Sequence, residues 1–318
     1  MNFTKTTTVA AAVVLLAGPV TAQTVGIGTT AKGATSQVTA AIASVVSKFG
    51  GMQMRPSPMA GTQKYIPAVN SGSLEFGAAN IMQTTWAIKG QVLSKGLPNP
   101  NIKLVSTLMK FRVGPLVGKK TSFQSVSDLK GLKAPTGFKA APLFNELISA
   151  ALATKNLTIA DTKNVPISAL VPSWKALMER KVDFAIGAYG SGFMKLIAKK
   201  LGGIRFISLD DSPAVLAKVG KMLPGADIRT VKPNPKIPGV EVPTKLFHFD
   251  YILFAGKHVS DDVVYRVAKA MHQNKKALVA SSPMWRGFSA KGMSKDQNGL
   301  EYHSGAIKLF KEKGIWKR

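Results

Sequence analysis

The sequence contains no cysteine, which excludes disulfides, cysteine nucleophiles, thiolate metal sites and a lipid-modified N-terminal cysteine. Histidine is scarce: four residues, at 248, 258, 272 and 303, leave little for a histidine metal site. Acid is scarce as well. Asp+Glu number 16 against 43 Lys+Arg, a formal net charge of +27 over 318 residues. No apolar run free of Lys, Arg, Pro and Gly clusters approaches the roughly 20 residues of a spanning helix. What is present argues for a folded chain. The apolar fraction of 45% is too high for a disordered basic protein, and the length allows one large domain or two smaller ones. The basic residues are dispersed as singles and pairs, such as Lys119-Lys120 and Lys199-Lys200. A nucleic-acid arm would cluster them among aromatics, so no nucleic-acid partner is expected. A dispersed positive field instead favours solubility and attracts anions.

The N-terminus reads as a leader. Lys5 lies in a short polar start, residues 9–16 are apolar, Gly18-Pro19 breaks the run, and Val20-Thr21-Ala22 offers small residues for cleavage. That layout predicts a secretory signal peptide over residues 1–22 and an exported, periplasmic mature protein from Gln23.

Beyond it, short apolar strands alternate with helical patterns. Val25 to Gly28 reads as a strand, and Val38, Ile42, Val45, Val46 and Phe49 recur at helical spacing. Further strands are expected at 52–54, 74–79, 132–134, 164–167 and 182–186, with helices at 62–70, 81–89, 140–154, 174–179 and 192–200. Residues 102–117 and 246–256 read as long extended crossings. The Pro-rich stretch 224–243 carries no helix pattern and reads as a connecting loop. Asp210-Asp211 is expected to open a helix, and Ser260 to cap one over 263–278. A final helix is expected over 306–313, stopped by Gly314. Two such β/α series joined by extended segments predict an α/β fold of two lobes.

The glycine motifs are incomplete. Gly26-Ile27-Gly28-Thr29-Thr30-Ala31 fits a dinucleotide fingerprint formally, but no acid follows at the required distance. Gly28 to Gly33 has Walker-A spacing with Ala34 where lysine must stand. What remains is a device used three times, at 28–31, at Ala60-Gly61-Thr62 and at Thr136-Gly137-Phe138-Lys139: small residues between a strand and a helix, exposing N–H groups to an anion. No nucleophile elbow, zinc-protease motif or carboxylate pair accompanies it, so no enzymatic activity, cofactor or metal is expected.

Several segments together resemble the TAXI-type solute receptors of TRAP transporters. They are residues 25–33, Ala60-Gly61-Thr62-Gln63-Lys64-Tyr65-Ile66, Leu74-Glu75-Phe76-Gly77-Ala78-Ala79-Asn80, Ser127-Asp128-Leu129-Lys130-Gly131, and Tyr302-His303-Ser304-Gly305-Ala306. The resemblance implies a two-lobed type II periplasmic binding protein, each lobe a mostly parallel sheet flanked by helices, joined by crossing strands. Lobe 1 would comprise residues 23–112 plus 252–318, and lobe 2 residues 113–251. It implies a monomer that captures a small organic anion bearing a carboxylate (an oxo-, hydroxy- or amino acid) and delivers it to membrane permease subunits. Tyr65 and Met82 stand where Asn and Asp are common, and losing the Asp favours a ligand without an ammonium group. The ligand-binding residues expected are Thr29, Thr30, Gly61, Thr62 and Asn80 from lobe 1, with Phe138, Lys139 and Tyr189 from lobe 2. A ligand-binding part of a sensor system, or less favourably a secreted hydrolase, are the alternatives.

Overall fold

The computed structural model describes residues 23–317 apart from Lys32 and Ala140; the leader expected over residues 1–22 lies outside them. Among the described residues no helix is long and apolar enough to cross a membrane. The chain opens with β1 (Thr24–Thr30), α1 (Ala34–Phe49), β2 (Gln53–Met59), α2 (Thr62–Ser71), β3 (Phe76–Asn80) and α3 (Ile81–Lys89). β1 lies between β2 and β3 and runs parallel to both. Their C-terminal ends, and the N-termini of the helices that follow, therefore share one sheet edge. α1 buries Val38, Ile42, Val45 and Val46 of the stripe that its helical spacing predicts, while Phe49 at its last position is exposed.

Two glycines set how closely this lobe packs. Gly28 is a strand residue, not a loop residue, and a Cβ there would lie 2.7 Å from Cβ of Tyr65. A Cβ on Gly77 would lie 2.6 Å from the Phe254 ring. The bare backbone lets both rings close onto the sheet. Tyr65 is wholly buried, and its hydroxyl donates to the Ala78 carbonyl at 2.6 Å. Burial holds its phenol well above the usual pKa.

β4 (Ile102–Gly118) then crosses into the second half. There follow β5 (Lys133–Thr136), α4 (Leu143–Ala153), β6 (Lys163–Pro166), α5 (Leu170–Met178), β7 (Ala185–Ala188) and α6 (Gly192–Leu201). β8 (Ile204–Phe206), α7 (Pro213–Met222) and β9 (Asp227–Val231) complete it, and β10 (Thr244–Gly256) returns. The chain ends with α8 (Asp261–Gln273), α9 (Lys275–Ser281) and α10 (Ser304–Glu312). The fold is α/β and two-lobed, with helices flanking a central sheet, as expected. Its strands run β2-β1-β3-β10-β4-β7, with β8 on β4 and β9 on β10, while β5 and β6 form a separate parallel pair. β4 and β10 pair antiparallel with each other from Ile102/Gly256 to Val113/Phe247, with register shifts between Asp250 and Ile252 and between Leu253 and Phe254. Among the named strands, parallel pairing is found in β2-β1-β3 and β5-β6, and isolated parallel bridges join Leu104 to Tyr302 and Ser125 to Ser208.

Several expectations need correction. The Pro-rich stretch holds a strand, β9, because residues 227–231 find a partner in β10. α4 begins at Leu143, after Pro142, rather than at residue 140. Asp210 and Asp211 do not start a helix; they pair with Lys155 at 2.9 Å and Lys245 at 2.6 Å, and Ser212 precedes Pro213 at the first turn of α7. The helix expected over 263–278 breaks at Asn274 into α8 and α9. Ser260 does cap α8, accepting from the Val263 N–H.

The Tyr302-His303 motif holds the C-terminal segment in place. The Tyr302 hydroxyl donates to the Lys295 carbonyl at 2.8 Å and meets Thr107 Oγ1 of β4 at 3.1 Å. His303 caps α10, its Nδ1 accepting from Gly305 N–H at 3.2 Å. Burial lowers the His303 pKa, with Asp261 opposing, so the imidazole stays a neutral acceptor.

Candidate functional site

The first N–H groups of a helix have no partner within it, so the shared edge of β1, β2 and β3 presents donors toward the space beyond it. The side chains there form a hydrogen-bonded set. Thr29 is buried, and its Oγ1 accepts from Thr39 Oγ1 of α1 at 2.6 Å. Thr30 is half-buried at the strand end, opposite Met59 of β2. Gly61 caps α2 with extended backbone, and Thr62 behind it is buried. Asn80 ends β3 and caps α3, its Oδ1 accepting from Gln83 N–H at 2.9 Å. Its amide donates in turn to Gln83 Oε1, and Gln83 Nε2 donates to Thr62 Oγ1 at 2.7 Å. The structure thus brings Thr29, Thr30, Gly61, Thr62 and Asn80 to one edge. Gln83 joins Thr62 to Asn80, a partner the sequence reading missed. The spacing of Asn80 and Gln83 is that of a capping box and could have exposed it.

The crossing strands pass beside this edge, because Tyr251 of β10 pairs with Asn80. Successive strand residues point to opposite faces. On one face Phe111 stacks on Phe249 with ring centroids 6.0 Å apart and lies 5.1 Å from the Tyr251 ring. The Tyr251 hydroxyl meets Thr35 Oγ1 in the first turn of α1. Burial pushes the Tyr251 phenol up to about 12, with the Thr35 hydrogen bond opposing, so it remains protonated. On the other face Arg112 stands opposite His248, and Lys110 opposite Asp250. Asp250 is buried and bonded to Lys295 and to Gln297 Nε2.

The second lobe departs further from expectation. Phe138 is 1% exposed, its ring packed 5.7 Å from that of Phe144, so it offers no face to a ligand. An aromatic ring in a short turn joins whatever core lies beneath it. Gly137 N–H is taken by Asn145 Oδ1 at 3.2 Å, and this turn does not lead directly into α4. Lys139 is exposed. Tyr189 follows β7, its N–H donating to the Arg112 carbonyl at 2.9 Å and its ring edge-on to Phe206. Burial raises its phenol pKa despite Arg112. Tyr189 and Thr62 line different cavities. Tyr189 belongs to one of about 320 Å³ with Arg112 and His248, and Thr62 to a groove of about 490 Å³ along α2 with Gln83. Tyr65 and Met82 are both buried in the core, so neither reports on the charge of a ligand. The argument against an ammonium group falls with them.

Residues 27–314 match the NMT1-like family. No curated protein matches the chain. Among solved structures it is similar to the periplasmic sulfonate-binding protein SsuA from Methylobacillus flagellatus, at 16% identity and a TM-score of 0.55 over 93% of this chain and 97% of that one. PhnD1 from Prochlorococcus marinus, in complex with methylphosphonate, is similar at 9% identity and TM-score 0.55 over 92% and 99%. A TctC solute binding protein from Polaromonas is similar at 10% identity and TM-score 0.55 over 84% and 90%. At these identities the likeness is one of fold.

Proposed function

The chain belongs to the NMT1-like family, and from that premise we propose that it is a periplasmic solute receptor, binding a small organic anion between its lobes and delivering it to a membrane permease. The observation that carries this reading is the shared edge: three strand ends and three helix N-termini beside two strands that cross between lobes. Ligands of open α/β sheets sit beyond the carboxyl ends of the strands. The lobe division at residues 23–112 plus 252–318 and 113–251 is part of the proposal, as are the binding roles of Thr29, Thr30, Gly61, Thr62, Asn80, Lys139 and Tyr189. Names of the structural neighbours add sulfonate and methylphosphonate to the carboxylates suggested by the sequence.

A thermal-shift panel of carboxylates, sulfonates and phosphonates on the mature chain tests the reading, because a ligand bound only by the folded form raises the melting temperature. At least one should raise it, with saturable binding by calorimetry. If none does at about 100 times a micromolar Kd, the receptor reading fails. The TAXI-like segments support a permease of the TRAP type, driven by an ion gradient. Uptake by membrane vesicles that needs ATP and ignores the gradient would assign an ABC transporter instead.

A further inference from the structure

We propose that the crossing strands carry an oxyanion site of their own, in the cavity bounded by Arg112, Tyr189, Lys232, Asn234 and His248, which takes a small tetrahedral anion of the phosphate, phosphonate or sulfonate type. The cavity, of about 320 Å³, is walled by β4, the end of β7, β10 and the segment after β9. No Asp or Glu lines it. Among the described residues neither Arg112 nor Lys232 has a carboxylate partner. The nearby acid, Asp227, is engaged by Arg229 Nε at 2.6 Å and by the Ile228 N–H. Asn234 Oδ1 accepts from Lys236 N–H, which leaves its NH₂ to donate.

His248 supplies the independent sign. Its Nε2 is shielded from solvent and has no hydrogen-bond partner among the described residues. An unmade hydrogen bond at a shielded polar atom is costly, and a guest in the cavity can complete it once the ring turns toward that space. Burial first, then Arg112, Lys110 and Arg229, with Asp227 opposing, hold this imidazole down to about 4. It is therefore neutral at pH 7, and a cationic ring is not required for the site.

The donor types bear on the anion class. Arg112, Lys232 and Tyr189 line the cavity from three separate segments of the chain, with a guanidinium fork, an ammonium and a phenol among them. A planar carboxylate presents two oxygens in one plane, whereas a tetrahedral oxyanion can meet three donors at once. Because the cavity joins both crossing strands to the second lobe, its occupancy ties them together. Tyr189 also figures in the receptor reading, but this site requires no solute at the edge of β1–β3.

The test uses the mature chain, with calorimetry and imidazole NMR during titration with inorganic phosphate, methylphosphonate, methanesulfonate and acetate. His248→Gln assigns the resonance. Phosphate or methylphosphonate should shift the His248 signal, bind more tightly than acetate, and lose about tenfold or more in affinity in Arg112→Gln, whose melting temperature should hold. An unmoved His248 resonance at about 20 mM phosphate, weaker than any useful Kd, overturns the site. So does an Arg112→Gln variant of unchanged affinity, or an equal loss in Lys64→Gln, which would mean attraction by net charge alone. A solute that still raises the melting temperature of Arg112→Gln in either case leaves the receptor reading standing.

Discussion

The edge of β1–β3 and the charged face of the crossing strands treat their polar groups in opposite ways. At the edge, Thr29 is bonded to Thr39, Thr62 to Gln83, Gln83 to Asn80, and Thr35 to Tyr251. On the charged face Asp250 is bonded to Lys295 and Gln297, but among the described residues Arg112 has no carboxylate partner and His248 Nε2 no hydrogen-bond partner. The first arrangement holds backbone in position with side chains that already satisfy one another. The second leaves a guanidinium and an imidazole nitrogen without a protein partner among the described residues. Rigidity and appetite are thus placed on different parts of one sheet.

Substitutions can break that contrast, beginning with the packing of α2 against β1. Gly28→Ala puts a Cβ against Cβ of Tyr65, an atom fixed by the helix backbone. Overpacking of this kind should cost about 3 kcal/mol, read by urea unfolding of the mature chain. A variant as stable as the parent would mean that α2 can yield. Asn80→Ala removes a helix cap and strands the Gln83 side chain, for a loss of about 1–2 kcal/mol. Its anion affinity at the charged face should stay unchanged, and a parallel loss there would merge the two regions into one unit.

A smaller effect is expected from Tyr251→Phe, which removes the hydroxyl facing Thr35 while keeping the ring on Phe111. Unfolding should register about 1 kcal/mol, and no change would mean that water replaces the bond. The smallest effect is one of pH. The folded value of His248, about 4, lies below the unfolded value near 6.5. Between the two the unfolded chain binds more protons, so the contribution of the neutral ring is complete above about 6.5 and is lost as pH falls toward 4. His248→Gln should flatten that part of the melting-temperature profile relative to the parent. Superimposable profiles would show that the ring is solvated in the native state.

The frame was legible because it is written in local periods. Val38, Ile42, Val45 and Val46 mark α1, and the extended run at 102–117 reads through Gly114-Pro115 as the crossing strand β4. The site was less legible, because its members meet only through register. Nothing local in Arg112 announces that it stands opposite His248, or in Phe111 that it stacks on Phe249. Phe138 misleads for the same reason: a ring in a turn looks available until the core beneath it is known. Asn80, proposed to hold a ligand, also caps α3 with its side chain, a role visible in its place before the helix. β9 escaped notice because a strand among prolines is recognised by its partner rather than its composition.

The unbroken passage of β4 and β10 between the lobes has a mechanical consequence. A joint made from two laced strands behaves as a leaf spring, not as a swivel pin. Bending would be taken up in small torsions of many peptide units, most readily at the two register shifts near Asp250 and Leu253, with a restoring push that grows with the angle. Closing on a guest would load that spring, and letting go would need no other engine.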